Sequence, residues 1–359
     1  MNNEIRIIQN NKEIVGWKAV QVHRSLDSLA HGFSFHQVPS KNGKIISINE
    51  YDPIAIFLGD VRILTGYVDS LSLSRSENGV NYSFQGRTKT SDLIDCSVEM
   101  KPTSWKNISL VALIGELIKP YGLSVSIQEG IKVTENFDKF TVELGESVNE
   151  AIQRACGLRN IIPTVDAFGN VLLTRVTESD YLHTLQAKHN FTELTQNLEF
   201  KLRYSDYTVI GANDSAGSKV SDNDLRSQGT AKDESFGRYR FLCVSHTDRI
   251  TNASAKSLAL WESRIRYGKS INLSVSVPYW TFSDKLIWHP NQIHYIIDKE
   301  LDIDNTFLLN GVDFIYSEQQ GKRSNLHFVD TLAYDLQPEI IKKQPTPKTK
   351  KRSNTGGWL

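Results

Sequence analysis

The sequence has 359 residues, of which 39% are hydrophobic and 23% charged, a composition typical of a soluble protein with roughly two or three domains. Lysine and arginine together number 41, as do aspartate and glutamate, so the zero formal charge argues against a chain-wide nucleic-acid-binding surface. The N-terminus lacks a signal-peptide pattern, and no apolar run reaches the length of a membrane span.

Residues 4–86 are predicted to form strands almost throughout, because apolar residues alternate along short runs. Asn78-Gly79 is a hairpin signal, since both residues accept the positive φ of a type I′ turn. Regular short strands of this kind are typical of a β-barrel or a sandwich. We predict a first β-barrel domain from residues 1–97 together with 185–211, where the β pattern resumes.

Residues 98–184 change to a helical period and are predicted to form an inserted α+β module. Apolar residues at helical spacing run from Ile108 to Ile118. A second helix is predicted after Ser147, whose spacing from Glu150 is that of a capping box. A β-hairpin with the turn DAFGN follows this helix and completes the module.

The second half of the chain begins with a polar stretch, 212–235, that is rich in Gly, Ser and Asp and is predicted to be a mobile loop. A helix at 251–266 and the alternating strands after it predict a second β-barrel domain over 236–341. The C-terminal tail, 342–359, carries six basic and no acidic residues. It is either a solvated end or a basic arm that docks an acidic partner.

The stretch GRTKTSDLIDCSV, residues 86–98, begins like a phosphate-binding loop but lacks both glycines that such a loop requires. We interpret it instead as the joint between the first β domain and the module. Its charged residues are predicted to lie on a turn and a short helix, ion-paired with one another or with a neighbouring subunit. These residues are Arg87, Lys89, Asp92 and Asp95.

The remaining candidate sites give weak signals. His289 and His294 do not have the spacing of a helical zinc site, and no serine or cysteine stands in a recognisable catalytic motif. The run DKELDIDN would place four carboxylates on one face of a strand. This pattern indicates an acidic edge facing solvent or a partner, with a calcium site as the alternative. We therefore predict no catalytic residue, no cofactor and no metal.

Several segments, in this order, resemble the baseplate hub protein of Mu-like contractile-tailed phages, a member of the tail hub family. They are GRTKTSDLIDCS, ESVNEAIQRACGLRN with TVDAFGNVLLTR, LRYSDYTVIG, ALWESRIRYGKS running into SVSVPYW, and LWHPNQIHYIID. The likeness spans roughly residues 1–341. The chain departs from the family pattern at Thr88, where an aspartate is expected, and at Lys269, where an arginine is expected.

The resemblance implies a mainly β, multidomain fold with two tail-tube-like β-barrel domains plus the small α+β module. It implies a structural protein of the virion tail baseplate, not an enzyme, which is synthesised and assembled in the host bacterial cytoplasm. The expected assembly is a homotrimer that adapts the sixfold tail tube to the threefold central spike. Its partners would be the spike, the tube and other baseplate proteins, with no nucleic-acid specificity.

The motif ALWESRIRYGKS adds Trp261 and Arg264 to the candidate domain-joint or subunit-contact residues. Two other functions stay open. One is a cell-wall-degrading enzyme, although a fused lytic domain would need its own core of roughly 100 residues or more. The other is a glycan-binding tail protein with exposed aromatic residues such as Tyr279 and Trp280.

Overall fold

A computed structural model divides the chain into two compact units. The large unit comprises Met1–Leu198 with Ile271–Thr331, and the small unit comprises Glu199–Ser270 with Leu332–Leu359. The structure describes residues 5–37, 48–49, 51–77, 79–99, 102–133, 135–176, 179–212, 227–246, 249–283, 286–338 and 340.

The large unit begins with seven strands: β1 (Ile5–Gln9), β2 (Lys12–Ile14), β3 (Trp17–Ser25), β4 (Gly32–Gln37), β5 (Ile54–Leu58), β6 (Val61–Ser76) and β7 (Gly79–Thr88). Along β1, the buried Ile5 and Ile7 alternate with half-buried neighbours, because successive side chains of a strand point to opposite faces. The antiparallel pairing of β6 with β7 confirms the predicted hairpin. Asn78 of its turn lies outside the described residues.

The inserted module follows and has its own hydrophobic core. Its elements are α1 (Asp92–Asp95), β8 (Ser104–Ile108), α2 (Leu110–Ile118), β9 (Val125–Ile127), β10 (Phe137–Thr141), α3 (Val148–Gly157), β11 (Ile162–Val165) and β12 (Val171–Thr174). The predicted capping box is confirmed, since Ser147 Oγ accepts from the Glu150 amide at 3.2 Å and the Glu150 carboxylate accepts from the Ser147 amide at 2.8 Å. Single-turn 3-10 segments precede α1 and follow α2.

The rest of the chain alternates between the two units. The large unit continues with β13 (Thr184–Gln186) and β14 (Glu193–Leu198), and the small unit holds β15 (Asp206–Ile210), β16 (Gln228–Lys232), β17 (Phe241–Ser245) and α4 (Asn252–Lys269). The large unit ends with β18 (Ile271–Val277), β19 (Gln292–Asp298), β20 (Ile303–Ser317) and β21 (Gly321–Val329). No helix within the described ranges is long and apolar enough to cross a membrane.

One sheet of thirteen strands forms the frame of the large unit. Its main path runs β14-β18-β21-β20-β3-β4-β7-β6-β5-β1-β2, and β19 pairs with β20 while carrying β13 on its other side. The module adds two small sheets, β8–β10 and β9–β12–β11. In the small unit, β15 is the central strand between β16 and β17, and α4 packs on β15 and β16.

The two predicted β-barrels are not confirmed, because none of the four sheets formed by the described residues closes on itself. The strands assigned to the two barrels instead share one sheet through the antiparallel pairing of β3 with β20. Alternation of apolar residues identifies a strand, but it does not indicate which strand lies beside it. The fold is mainly β and multidomain, and residues 104–174 contain the helices and strands from β8 to β12.

The unit boundaries also differ from the predicted domains. Residues 185–211, predicted to complete the first domain, are divided at Leu198, since β14 pairs with β18 and β15 belongs to the small unit. The predicted second domain, 236–341, is likewise divided, because α4 lies in the small unit and β18 to β21 in the large one. The C-terminal tail, 342–359, lies outside the described residues.

Residues 212–235 were predicted to be a loop, yet their last part forms β16. Residues 213–226 lie outside the described residues. The strand sequence QGTAK has little apolar alternation, and its fit depends on Gly229. A Cβ added to Gly229 would lie 2.0 Å from the backbone nitrogen of Lys256 in α4, so only glycine lets the strand approach the helix this closely.

Gly229→Ala is therefore expected to lower the free energy of unfolding of the small unit by about 2 kcal/mol or more, because the new methyl group would clash with the backbone of α4, which cannot move aside. Hydrogen–deuterium exchange should become faster in β15, β16 and α4, and it should be unchanged in the module. Gly237→Ala is the matched control, since nothing lies within 4 Å of a Cβ at that position. Unchanged exchange in Gly229→Ala would contradict this account of β16.

Candidate functional site

The candidate site at the end of β7 is centred on Arg87, whose guanidinium lies between two carboxylates. Its Nε donates to Asp69 of β6 at 2.5 Å, and its two terminal nitrogens donate to the two oxygens of Asp95 in α1 at 3.2 and 2.6 Å. The hydrogen bonds to Asp95 and to Asp69 raise the pKa of Arg87, and the bond from Arg87 lowers the pKa of Asp95. This bidentate contact fixes the orientation of α1 against β6 and β7.

Of the four charged residues expected to pair with one another or with a neighbouring subunit, Arg87 and Asp95 form an ion pair within the chain, and Asp92 takes no part in it. Asp92 forms no ion pair with any residue that the structure describes. Burial raises the pKa of its carboxyl, and the negative charges of Asp95 and Asp69 raise it further. The second carboxylate of the cluster is Asp69, whose part in it is not evident from the sequence because it lies on the neighbouring strand, 18 residues before Arg87.

The two threonines of the phosphate-loop-like stretch bind backbone groups of the loop after β3. The hydroxyls of Thr88 and Thr90 both donate to the carbonyl oxygen of Leu29. The amide of His31 donates to Thr88 Oγ1 at 3.1 Å, and the amide of Thr88 donates to the carbonyl of His31 at 2.9 Å. Both threonines are fully buried, so their hydroxyls serve to fix the joint.

Lys89 lies against the turn of the β11–β12 hairpin. A Cβ added to Gly169 in this turn would stand 2.9 Å from Lys89 Cε and 2.6 Å from the carbonyl oxygen of Thr65. The Thr65 hydroxyl donates to the carbonyl of Ala167 at 2.8 Å, which ties β6 to the same turn. The joint between the β strands and the module therefore includes a hairpin whose turn residues lie about 80 residues further along the chain.

Trp261 and Arg264 belong to the small unit, where they fasten α4 to the segment after β21. Trp261 Nε1 donates to the carbonyl of Asp335 at 2.8 Å, and Arg264 Nε lies 3.1 Å from the Asp335 carboxylate. Gly268 of the same helix approaches this segment closely, since a Cβ there would lie 2.2 Å from the amide nitrogen of Ala333. The structure thus gives these two residues a role within one unit and brings neither into the Arg87 cluster.

The aromatic residues proposed for glycan binding are not exposed. Trp280 is buried, and its Nε1 donates to the carbonyls of Ile315 and Arg323 at 3.3 and 3.1 Å. Tyr279 is half-buried, and its hydroxyl donates to the carbonyl of Asn190. The prediction of an exposed aromatic surface at this position is therefore wrong, because both rings face the core of the large unit.

The acidic run DKELDIDN does not form the single strand that was predicted for it. A turn over residues 299–302 separates β19 from β20, so its carboxylates do not share one strand face. Asp302 has a φ of 54° in this turn, and Glu300 forms an ion pair with Lys188 at 2.5 Å. Across the described ranges, no group of three His, Cys, Asp or Glu side chains is arranged to hold a metal ion.

The architecture is that of prophage tail proteins. The 43 kDa tail protein of prophage MuSo2 from Shewanella oneidensis superposes with a TM-score of 0.81 at 24% identity, covering 92% of this chain and 99% of that one. The tail protein from Neisseria meningitidis MC58 superposes with a TM-score of 0.76 at 18% identity, covering 92% and 98%. At these identities the similarity establishes the fold alone.

Sequence comparison gives the family. The N-terminal domain model of the Mu phage baseplate assembly protein GpP-like family matches residues 4–88, and the second-domain model of the baseplate hub protein gp44-like family matches residues 90–175. Baseplate hub protein gp44 of Escherichia phage Mu is 30% identical over 332 residues, which cover 91% of this chain and 87% of that protein. The chain belongs to the family of baseplate hub proteins of Mu-like phages, as its sequence motifs predicted.

Family membership makes the chain a structural protein of a phage tail baseplate. The boundary between the two family matches falls between Thr88 and Thr90, in the connection from β7 to α1. The Arg87 cluster lies at this boundary. Its role as a domain joint or a subunit contact stays a prediction.

Asp95→Asn is expected to lower the free energy of unfolding at pH 7 by no more than about 1 kcal/mol, because the Arg87 contact is partly exposed and screened. The folded-state pKa of Asp95 is depressed, so the contact stabilises above the unfolded pKa of about 3.9 and is lost as pH falls through the lower folded-state value. Urea unfolding at pH 7 and at pH 3 should show the difference from wild type shrinking at the lower pH.

Asp92→Asn is the matched control for this experiment. The folded-state pKa of Asp92 is raised, so folding makes its charged form less favourable than in the unfolded chain, and the neutral amide should leave stability unchanged or slightly higher, within about 0.5 kcal/mol. A larger loss in Asp92→Asn than in Asp95→Asn would contradict the assignment of the two carboxylates.

Proposed function

We propose that this chain is the central hub of a contractile-tail baseplate, acting as a homotrimer that adapts the sixfold tail tube to the threefold central spike. The observation that carries the proposal is the match to a baseplate hub protein along nearly the whole chain. The partners would be the spike, the tail tube and other baseplate proteins, and assembly would take place in the host bacterial cytoplasm.

The strand arrangement supports a ring of this symmetry. Each chain supplies two sets of strands, β1 to β7 on one side of the β3–β20 pairing and β18 to β21 with β13 and β14 on the other. Three chains supply six sets, the number that a sixfold tube presents. Both sets of one chain share one open sheet, so the sheet of a single chain does not form the ring. In our proposal the ring forms through contacts between successive chains, and it closes when the third chain contacts the first.

An uncovered apolar face on the β6–β7 hairpin supports a contact with a second copy of the chain. Leu71 pairs with Phe84 and Leu73 with Tyr82, and cross-strand partners share one face of a sheet. Phe84 and Tyr82 are buried, whereas Leu71 and Leu73 are 51% and 62% exposed. The sheet face that is buried on β7 is therefore exposed to solvent on β6, and a neighbouring subunit that packed there would remove the two leucines from water.

The alternative functions lack a comparable observation. A glycan-binding surface would need exposed aromatic rings, and Trp280 lies in the core. A lytic domain would need a further core, whereas the described residues pack into the three cores of the two units. Incubation of the purified protein with peptidoglycan, and its application to a glycan array, would test both. Release of soluble peptidoglycan fragments or selective glycan capture would favour these alternatives.

Co-expression with the spike protein of the same phage is expected to yield a complex that contains three copies of the 40.6 kDa chain. Native mass spectrometry gives the copy number, and two-dimensional class averages from electron microscopy give the symmetry. An assembled baseplate with any other number of copies would refute the trimer. The isolated chain is not the decisive sample, because ring closure can require the spike.

Leu73→Ser is expected to weaken this assembly by about 1–2 kcal/mol per contact, roughly tenfold in affinity, because less apolar surface would leave water on association. The thermal midpoint of the isolated chain should stay nearly unchanged, since Leu73 is mostly exposed. Leu158→Ser is the matched control, because Leu158 is 61% exposed but lies at the end of α3 in the module. Equal effects of the two substitutions on trimer yield would count against an interface at the hairpin.

A further inference from the structure

A cavity of about 240 Å³ lies in the large unit between the end of β3, the module and the loop that precedes β19, and it is open to solvent on the side of the exposed His289. All three segments contribute polar groups to its wall. Polar side chains in the wall include those of Arg24, His31, Gln128, Thr174, His289 and Asn291. No aspartate or glutamate is among the described residues that line it.

Arg24 is the residue that indicates a ligand, because it is buried and not fully hydrogen-bonded. It occupies an inward position of β3, like the buried Val20 and Val22, and only 2% of its surface is exposed. One terminal nitrogen donates to Nε2 of His289 at 2.8 Å, while Nε has no hydrogen-bond partner among the described residues. A buried guanidinium is normally paired with carboxylates or with several acceptors, and an unpaired one is unfavourable.

The two histidines beside Arg24 do not compensate its charge. Burial, and then the charge of Arg24, lower the pKa of His31 to about 3. The charge of Arg24 is the main cause that lowers the pKa of His289 to about 3, although the His289 residue is itself exposed at the rim of the cavity. Burial lowers the pKa of Arg24 only to about 10, so at neutral pH the guanidinium is charged and both imidazoles are neutral.

The Asp166 carboxylate is held by hydrogen bonds within its own turn. Asp166 raises the pKa of Arg24 through its negative charge, but it forms no ion pair with Arg24 among the described residues. Its Oδ1 accepts hydrogen bonds from the amides of Phe168 and Asn170, both at 2.8 Å, within its own hairpin turn. The cavity therefore has a net positive charge and no described group that neutralises it at close range.

We propose that this cavity binds a small oxyanion of the phosphate or sulfate type. The N–H groups of the Arg24 guanidinium that do not bind His289 would donate to two oxygens of the ion. Arginine binds oxyanions best through two such parallel hydrogen bonds. The volume lies below the roughly 300–1,000 Å³ of pockets for drug-sized ligands, so the cavity suits a small ion better than a nucleotide. Because the wall comes from β3, the module and the β19 loop, the bound ion would hold the module on the sheet.

Thermal unfolding of the full chain in a phosphate-free buffer tests the proposal. Inorganic phosphate is titrated against sodium chloride, and separately against acetate, at matched ionic strength. A ligand that binds only the folded state raises the midpoint with the logarithm of its concentration, by several degrees at about 100 times the dissociation constant. We expect phosphate and sulfate to raise the midpoint, and chloride and acetate to leave it unchanged.

Arg24→Met should abolish the response to phosphate. It should also leave the midpoint in phosphate-free buffer unchanged or higher, because methionine fills similar space without a buried unpaired charge. Arg175→Met is the matched control, since Arg175 follows β12 in the module and its guanidinium is bonded to the carbonyls of Arg159 and Asn160. This variant should keep the phosphate response whatever its own stability.

Three results would overturn the proposal. The first is a wild-type midpoint that rises no more with phosphate than with chloride. The second is a phosphate response that survives in Arg24→Met. The third applies if Arg24→Met does not fold, in which case isothermal titration calorimetry of the wild-type chain decides, and the absence of saturable phosphate binding at millimolar concentrations ends the proposal.

Discussion

The pairing of β3 with β20 is the contact on which the sheet of the large unit depends, because within the described residues it is the only strand pairing that joins the N-terminal strands to the C-terminal ones. On the core face of this pairing, Val22 lies opposite Phe314 and both are fully buried. On the other face, Asp313 accepts hydrogen bonds from His23 at 2.7 Å and from His327 at 2.8 Å, which links β3, β20 and β21. One antiparallel contact thus combines apolar burial with a carboxylate that is hydrogen-bonded across three strands.

The module is attached to this sheet by several small contacts rather than by one large one. The Arg87 guanidinium fixes α1, the buried hydroxyls of Thr88 and Thr90 bind the loop after β3, and Gly169 lets a hairpin turn approach β6. Partly exposed ion pairs contribute little stability, so the Arg87 cluster mainly sets orientation. The buried hydroxyls and the close backbone contact are what make the attachment specific.

Local features of the fold could be predicted from the sequence, and long-range ones could not. The capping box at Ser147, the hairpin at Gly79 and α4 each depend on residues within a few positions of one another. The pairing of Arg87 with Asp95 is also local, eight residues apart. Strand partners and the contact with Asp69 depend on the tertiary fold, and alternation carries no information about them. For that reason two separate barrels were expected where one open sheet is found.

The β3–β20 pairing also has a consequence for how the protein matures on the ribosome. β3 ends at Ser25, and the residues of β20 that pair with it begin at Gly311. β3 therefore leaves the ribosome long before the strand that pairs with its edge. At about 5–20 residues per second, the wait is roughly 15–60 s. The module completes its own core much earlier, from residues within 29–173. During translation the nascent chain therefore exposes an unpaired strand edge beside a finished domain, and that edge is a surface for chaperones or for a wrong partner.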